Sequence, residues 1–216
     1  MKRSLLLAVT LVLGLTAVSF AGQNFFGQTG LLLTPTALVA PDGARLVNYY
    51  RDPYGDVDLY GITAGLEHKC ELTYTRFDYS GGDGRNVLSA KAVLPIQNKA
   101  GADLLPFQLA VGMLDISDEI DRSMYVAGTY AYKSSQGGLA PGINLSAGIG
   151  DGAYDALFAG GEVIWDFGLQ AIAEWDSENM NWGVRYTHPD LPALTLTLGW
   201  FDADKDAWGV TYNLNF

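Results

Sequence analysis

Toward the C-terminus, apolar and polar residues alternate without a fault. Trp208, Val210, Tyr212, Leu214 and Phe216 fall on one face of an extended segment, and Ala207, Gly209, Thr211, Asn213 and Asn215 on the other. One segment earlier, Leu194, Leu196, Leu198 and Trp200 oppose Thr195, Thr197 and Gly199. Before that, Met180, Trp182, Val184 and Tyr186 oppose Asn181, Gly183, Arg185 and Thr187. A period of two belongs to strands whose two faces meet different environments.

The same alternation, separated by Gly, Asp, Asn and Pro, runs back along the chain. It predicts strands near 44–51, 57–66, 69–79, 86–96, 106–115, 123–133, 142–150, 157–166, 168–175, 180–187, 193–201 and 206–216. Twelve strands are favoured, with ten as the alternative. The pattern leaves open which face Arg45 takes. Strand 69–79 puts Arg76 on an otherwise apolar face, tolerable near a membrane rim where the side chain can snorkel.

A soluble barrel hides its apolar face and a membrane barrel shows it to lipid. Here the polar face carries Gly, Ala, Thr, Ser and Asn, too small and polar for a dry core, and the apolar face of the last six strands has no charge through its middle. Trp165, Trp175, Tyr186, Trp200 and Trp208 fall near strand ends, where an aromatic girdle belongs. Strands in hydrocarbon must pair every backbone group, so the sheet must close on itself. The predicted fold is therefore all-β, a closed antiparallel transmembrane β-barrel spanning 44–216.

The N-terminus predicts export. Lys2 and Arg3 precede the apolar run Leu5 to Val18, and Ser19-Phe20-Ala21 offers small residues for a cut after Ala21, so 1–21 reads as a signal peptide. Residues 22–43 form a periplasmic or lumenal segment before the barrel. In it, Thr34-Pro35 suits either the start of a short helical plug, stopped by Pro41, or an extended tether.

Two resemblances follow. The last strand, Trp208, Val210, Tyr212, Leu214 and terminal Phe216, resembles the targeting strand of bacterial outer-membrane barrels. It implies recognition by the barrel assembly machinery and residence in the outer membrane. The run Thr29-Gly30-Leu31-Leu32-Leu33-Thr34-Pro35-Thr36-Ala37, then Pro41-Asp42-Gly43, resembles the opening of YjbH-type outer-membrane proteins, as do Gly160-Gly161-Glu162, Ala173-Glu174-Trp175 and Gly183-Val184-Arg185-Tyr186. That likeness implies an association with exopolysaccharide production and polysaccharide as a partner.

With the chain entering from the periplasm, outward loops fall near 52–56, 79–85, 115–122, 151–156, 176–179 and 202–206. They gather most of the 24 acids, among them Asp115, Asp118, Glu119, Asp121, Asp202, Asp204 and Asp206. Such a rim reads as a solvated surface of Asp-rich turns, or as a vestibule that attracts cations or bridges through divalent cations to surface glycolipid. No loop has EF-hand spacing, so no metal site is assigned. Glu162, Glu174 and Arg185 face the lumen on three successive strands, with Lys91 and Glu71 lumenal in earlier ones. These charges either brace the wall or line a constriction.

Gly148, Gly160, Gly183, Gly199 and Gly209 with Ser146, Thr195, Thr197, Thr211 and Asn213 suggest a lumen wide enough for water. A net charge of −11 gives no footprint for nucleic acid. Cys70 alone excludes a disulfide framework, and His68 and His188 fall in periplasmic turns without a serine partner, so neither a cofactor nor catalysis is expected. The function predicted is a narrow, cation-preferring channel for small hydrophilic solutes, with a closed structural or assembly-accessory barrel as the alternative.

Overall fold

The computed structural model describes residues 22–51, 57–96, 105–132, 142–202 and 205–214. Within them lie β1 (Arg45–Arg51), β2 (Val57–Leu66), β3 (Cys70–Tyr79), β4 (Arg85–Leu94), β5 (Gln108–Leu114) and β6 (Ser123–Tyr132). The second half supplies β7 (Gly142–Gly150), β8 (Ala156–Ile164), β9 (Leu169–Trp175), β10 (Met180–Thr187), β11 (Leu194–Phe201) and β12 (Lys205–Asn213). Each strand pairs antiparallel with its sequence neighbours, and β12 returns to β1, with Leu46 opposite Asn213 and Arg51 opposite Trp208. The sheet is a closed twelve-stranded barrel with no free edge. β4 stops at Leu94 because Pro95 has no N–H for the ladder.

The faces are those of an inside-out protein. Outward-pointing Ile62, Leu72, Leu145, Leu157, Trp182 and Leu198 are exposed, whereas inward-pointing Thr63, Glu71, Ser146 and Thr197 are buried. Arg76 points outward close to the end of β3, where it meets Asp78 at 3.6 Å and Asn86 at 3.3 Å. Arg45 points outward at the opposite end. We call the end at which the chain enters β1 the near mouth and the end bearing loops 80–84, 115–122, 151–155 and 176–179 the far mouth. No helix among the described residues is long and apolar enough to cross a membrane; that observation has no bearing on strands.

The lumen differs from the expected row of small residues facing water. Its glycines make room for rings. A Cβ on Gly209 would fall inside the Tyr50 ring, one on Gly148 inside that of Phe158, and one on Gly112 inside that of Tyr125. Each ring belongs to the residue directly across the ladder from its glycine. The missing side chain lets the aromatic lie flat on the wall, a cross-strand pairing that recovers the packing a glycine forfeits. Tyr50, Phe77, Tyr125, Phe158 and Phe201 thus gather in the far half of the lumen, where Tyr154, from the short 3-10 turn Gly152–Tyr154, folds in over them. Tyr154 stands 5.2 Å from Tyr125 and 5.6 Å from Phe158, ring centre to ring centre. A period-two pattern assigns residues to a face but cannot show that a glycine on that face is covered by its neighbour.

A closed antiparallel barrel of this size, apolar outside and hydrogen-bonded within, has the fold characteristic of outer-membrane proteins.

Candidate functional site

The site is the lumen, and residues 22–40 occupy it, while 41–44 turn at the near mouth into β1. They form neither a helix nor an outstretched tether. The segment folds back on itself through tight turns inside the barrel before it runs down past Glu71 to β1. The first reversal uses Gly27 at φ +87°, a left-handed conformation cheap only for glycine, with the Asn24 amide donating to Gln28 O at 2.7 Å. The second spans Leu31 to Thr34, closed by the Leu31 amide on Thr34 O at 3.0 Å. The Phe25 amide donates to Leu32 O at 2.7 Å and ties the two reversals together.

Apolar side chains seat this stopper. Leu31 and Leu32 are fully buried, over the bare backbone of Gly160 and Gly183. Phe25 stacks 4.6 Å from Tyr50 and edge-on to Phe201 at 5.2 Å, and Phe26 lies over Phe77 and Tyr154. Full burial of one leucine is worth about 1.5–3 kcal/mol. Wall residues spaced round the barrel, Thr63, Ala110, Thr129 and Thr197, are consequently at most 1% exposed although all face the lumen.

All five lumenal charges point inward, but the structure separates them into three anchors. On β3 and β4, Glu71 and Lys91 sit directly opposite, 3.1 Å apart and fully buried. Together they grip Thr29 from both sides. Glu71 accepts the Thr29 amide at 2.9 Å, and Lys91 donates to the Thr29 carbonyl at 2.6 Å. Glu71 also accepts the Ala40 amide at 2.9 Å, so one carboxylate binds both limbs of the stopper.

The second anchor is Arg185 on β10. It meets Glu162 of β8 at 3.3 Å and Gln170 of β9 at 3.2 Å, and Asn144 of β7 donates to the same glutamate at 2.7 Å. The other guanidinium arm donates to the carbonyls of Gln23 at 3.0 Å and Leu31 at 2.8 Å. Arg185 uses a planar fork to hold wall and stopper at once, a geometry lysine lacks.

Glu174 of β9 forms the third, toward the far mouth. Its carboxylate accepts the amides of Leu32 at 3.0 Å, Leu33 at 2.7 Å and Thr34 at 3.1 Å, the Thr34 hydroxyl at 2.8 Å and the Asn181 amide at 3.3 Å. Successive backbone N–H groups of a tight turn converge on an anion in this way without any cation. Thr34 thus works as an anchor where the sequence suggested a helix cap. The apolar run before the first regular strand was a signal for buried structure in 29–37, but nothing in it showed that the chain doubles back into the barrel.

The far rim is acidic with one exception of role. Asp118, Glu119, Asp121, Asp202 and Asp206 are exposed, whereas Asp115 is buried. Its carboxylate accepts the amides of Ile120 at 2.6 Å and Asp121 at 3.0 Å and the Ser117 hydroxyl at 2.9 Å, bracing loop 115–122. Asp204 and Phe216 lie outside the described residues, and Trp208, Val210, Tyr212 and Leu214 all point outward. Burial pushes the Asp115 carboxyl up, but the loop amides and the hydroxyl together outweigh it and leave the group below its usual value. A depressed carboxyl stabilises the fold fully above its unfolded value of about 3.9 and loses that contribution as pH falls through the folded one. Amide exchange at Ile120 and Asp121, corrected for intrinsic rates, should therefore stay slow down to about pH 4 and accelerate below it. Asp115→Asn should exchange faster at neutral pH and show no such step.

His68 and His188 each accept a turn amide through Nδ1, from Asp42 and Asp190, both at 3.1 Å. Among the described residues, no group of three or more His, Cys, Asp or Glu is placed to hold a metal ion. What the lumen offers chemically is a set of fixed charges and hydroxyls that bind the chain's own backbone. No protein-family model matches this sequence, and no curated protein matches it.

Proposed function

We propose that the protein is an outer-membrane barrel, exported by residues 1–21, that forms a narrow channel for small hydrophilic solutes and rests with its own segment 22–40 as a stopper. One observation carries this reading: the wall's buried charges take much of their hydrogen bonding from the backbone of a segment that only noncovalent contacts hold inside the lumen. A lumen meant simply to be filled needs no charges, because apolar packing is the cheaper filling. With the stopper out, the hydroxyl-, amide- and charge-bearing near half would admit water, and the acidic far rim would favour cations. The outward-facing alternate residues Trp208, Val210, Tyr212 and Leu214 support delivery by the assembly machinery. Contact with outer-membrane lipid and glycolipid, with divalent cations between phosphates and rim acids, fits the apolar belt and the rim. The YjbH-type motifs support an exopolysaccharide setting, and we assign no enzymatic role.

The second reading, a closed structural or assembly-accessory barrel, is favoured by the apolar seating of Phe25, Leu31 and Leu32. Planar-bilayer recording separates the two. The full chain should be silent or flicker briefly. Full-length protein carrying Leu31→Asn and Leu32→Asn should pass a small current whose cation preference weakens as salt rises from about 0.1 to 1 M, where screening shortens from about 10 to 3 Å. Silence of that variant, and of a barrel lacking 22–42, at every salt concentration leaves the closed reading.

A further inference from the structure

Three carboxylates and two cations face the lumen among the described residues, and their partners divide unequally. Glu71 and Lys91 belong to neighbouring strands and stay paired whatever the stopper does. Glu162 and Arg185 stay paired too, because Asn144 and Gln170 hold them from the wall. Glu174 has no cation within ion-pair reach among the described residues. Of its five donors, four belong to Leu32, Leu33 and Thr34, and only Asn181 belongs to the barrel.

We propose that Glu174 is the residue that sets the ionic preference of the unstoppered lumen, and that it is masked at rest by the turn Leu32–Thr34. The proposal rests on the channel reading and goes beyond it by giving selectivity to one side chain. When the turn leaves, four donors leave with it. The wall then carries two self-compensated pairs and one carboxylate held by a single neutral amide. That charge sits opposite Gly160, where no side chain covers it, and toward the aromatic half of the lumen. A fixed charge between low-dielectric walls focuses its field along the pore and admits counter-ions over co-ions. The same carboxylate thus holds the stopper when the lumen is shut and selects cations when it is open. Glu162, its apparent twin in the sequence, does neither alone, because Arg185 neutralises it in both states.

The test uses the full chain with Leu31→Asn and Leu32→Asn, neutral changes that unseat the stopper without adding charge. Reversal potentials are read across a salt gradient near 1 M, where screening confines the rim's field to about 3 Å and leaves the lumen to dominate. The opened barrel should be cation-preferring. Adding Glu174→Gln should bring the reversal potential close to zero with conductance retained. Removing the Glu162–Arg185 pair together, by Glu162→Met with Arg185→Met, takes away no net charge and should leave the cation preference in place. A reversal potential that Glu174→Gln leaves in place overturns the proposal while the channel stands. So does an equal shift from the Glu162→Met, Arg185→Met variant. The barrel lacking 22–42 is run in parallel as a second way of opening, and absence of current from both overturns the channel reading and this inference with it.

Discussion

Leu198→Arg is expected to destabilise the lipid-refolded protein by about 2–4 kcal/mol, the cost of a guanidinium on the lipid face near the bilayer midplane. Leu198 lies in the middle stretch of β11, outward-facing and 48% exposed, between Val184 and Trp208 on the flanking strands. On a barrel whose outer surface met water, the same change would stay within about 0.5 kcal/mol, since exposed substitutions away from special features are nearly neutral. Leu191, exposed in the turn before β11, supplies the control. Leu191→Arg should be neutral, because it lies beyond the apolar belt. Urea titrations of the vesicle-refolded protein give both numbers. A cost below about 0.5 kcal/mol at Leu198 removes the membrane assignment. Thr197 makes a poor control on the other face, because it is only 1% exposed inside the packed lumen and an arginine there would displace what fills it.

Thr197 marks where the sequence stops being legible. The alternation in β10, β11 and β12 specifies strands, faces and closure, because a one-residue slip would turn every leucine inward. Strand ends follow from Pro95 and from the Asp- and Gly-rich turns. Charges on inner faces can be read by parity alone, as Glu162, Glu174 and Arg185 show. What parity cannot give is the partner across the lumen. Glu71 and Ala40 lie 31 residues apart, and Glu174 and Leu33 141, so no local pattern joins them. Gly209 and Tyr50 sit at opposite ends of the barrel sequence and meet only because β12 closes on β1. Asp115 fails for the opposite reason. Its loop is local, yet composition cannot distinguish an acid that faces solvent from one that collects the amides of the loop it begins.

The largest expected effect belongs to Arg185→Met. The guanidinium is 1% exposed and faces Glu162, itself 2% exposed, at 3.3 Å. Removing it leaves a buried carboxylate with only Asn144 for a partner among the described residues and takes a donor from the carbonyls of Gln23, Gly30 and Leu31. Breaking a buried pair on one side costs about 3–5 kcal/mol, chiefly through the charge left behind. Replacing both members should cost much less, because nothing charged is then stranded, so Arg185→Met with Glu162→Met should recover most of the loss. The two variants also separate the wall from the stopper. If Arg185 only braces β8 to β10, the double variant should regain wild-type resistance of segment 22–40 to added protease. If it clasps the stopper through those carbonyls, refolding stability should return while the segment stays open to cleavage, because methionine donates no hydrogen bond. The three carbonyl contacts favour the second result. A single variant that loses less than about 1 kcal/mol, or a double variant as damaged as the single, would show that Glu162 finds its compensation elsewhere and that Arg185 is not an anchor.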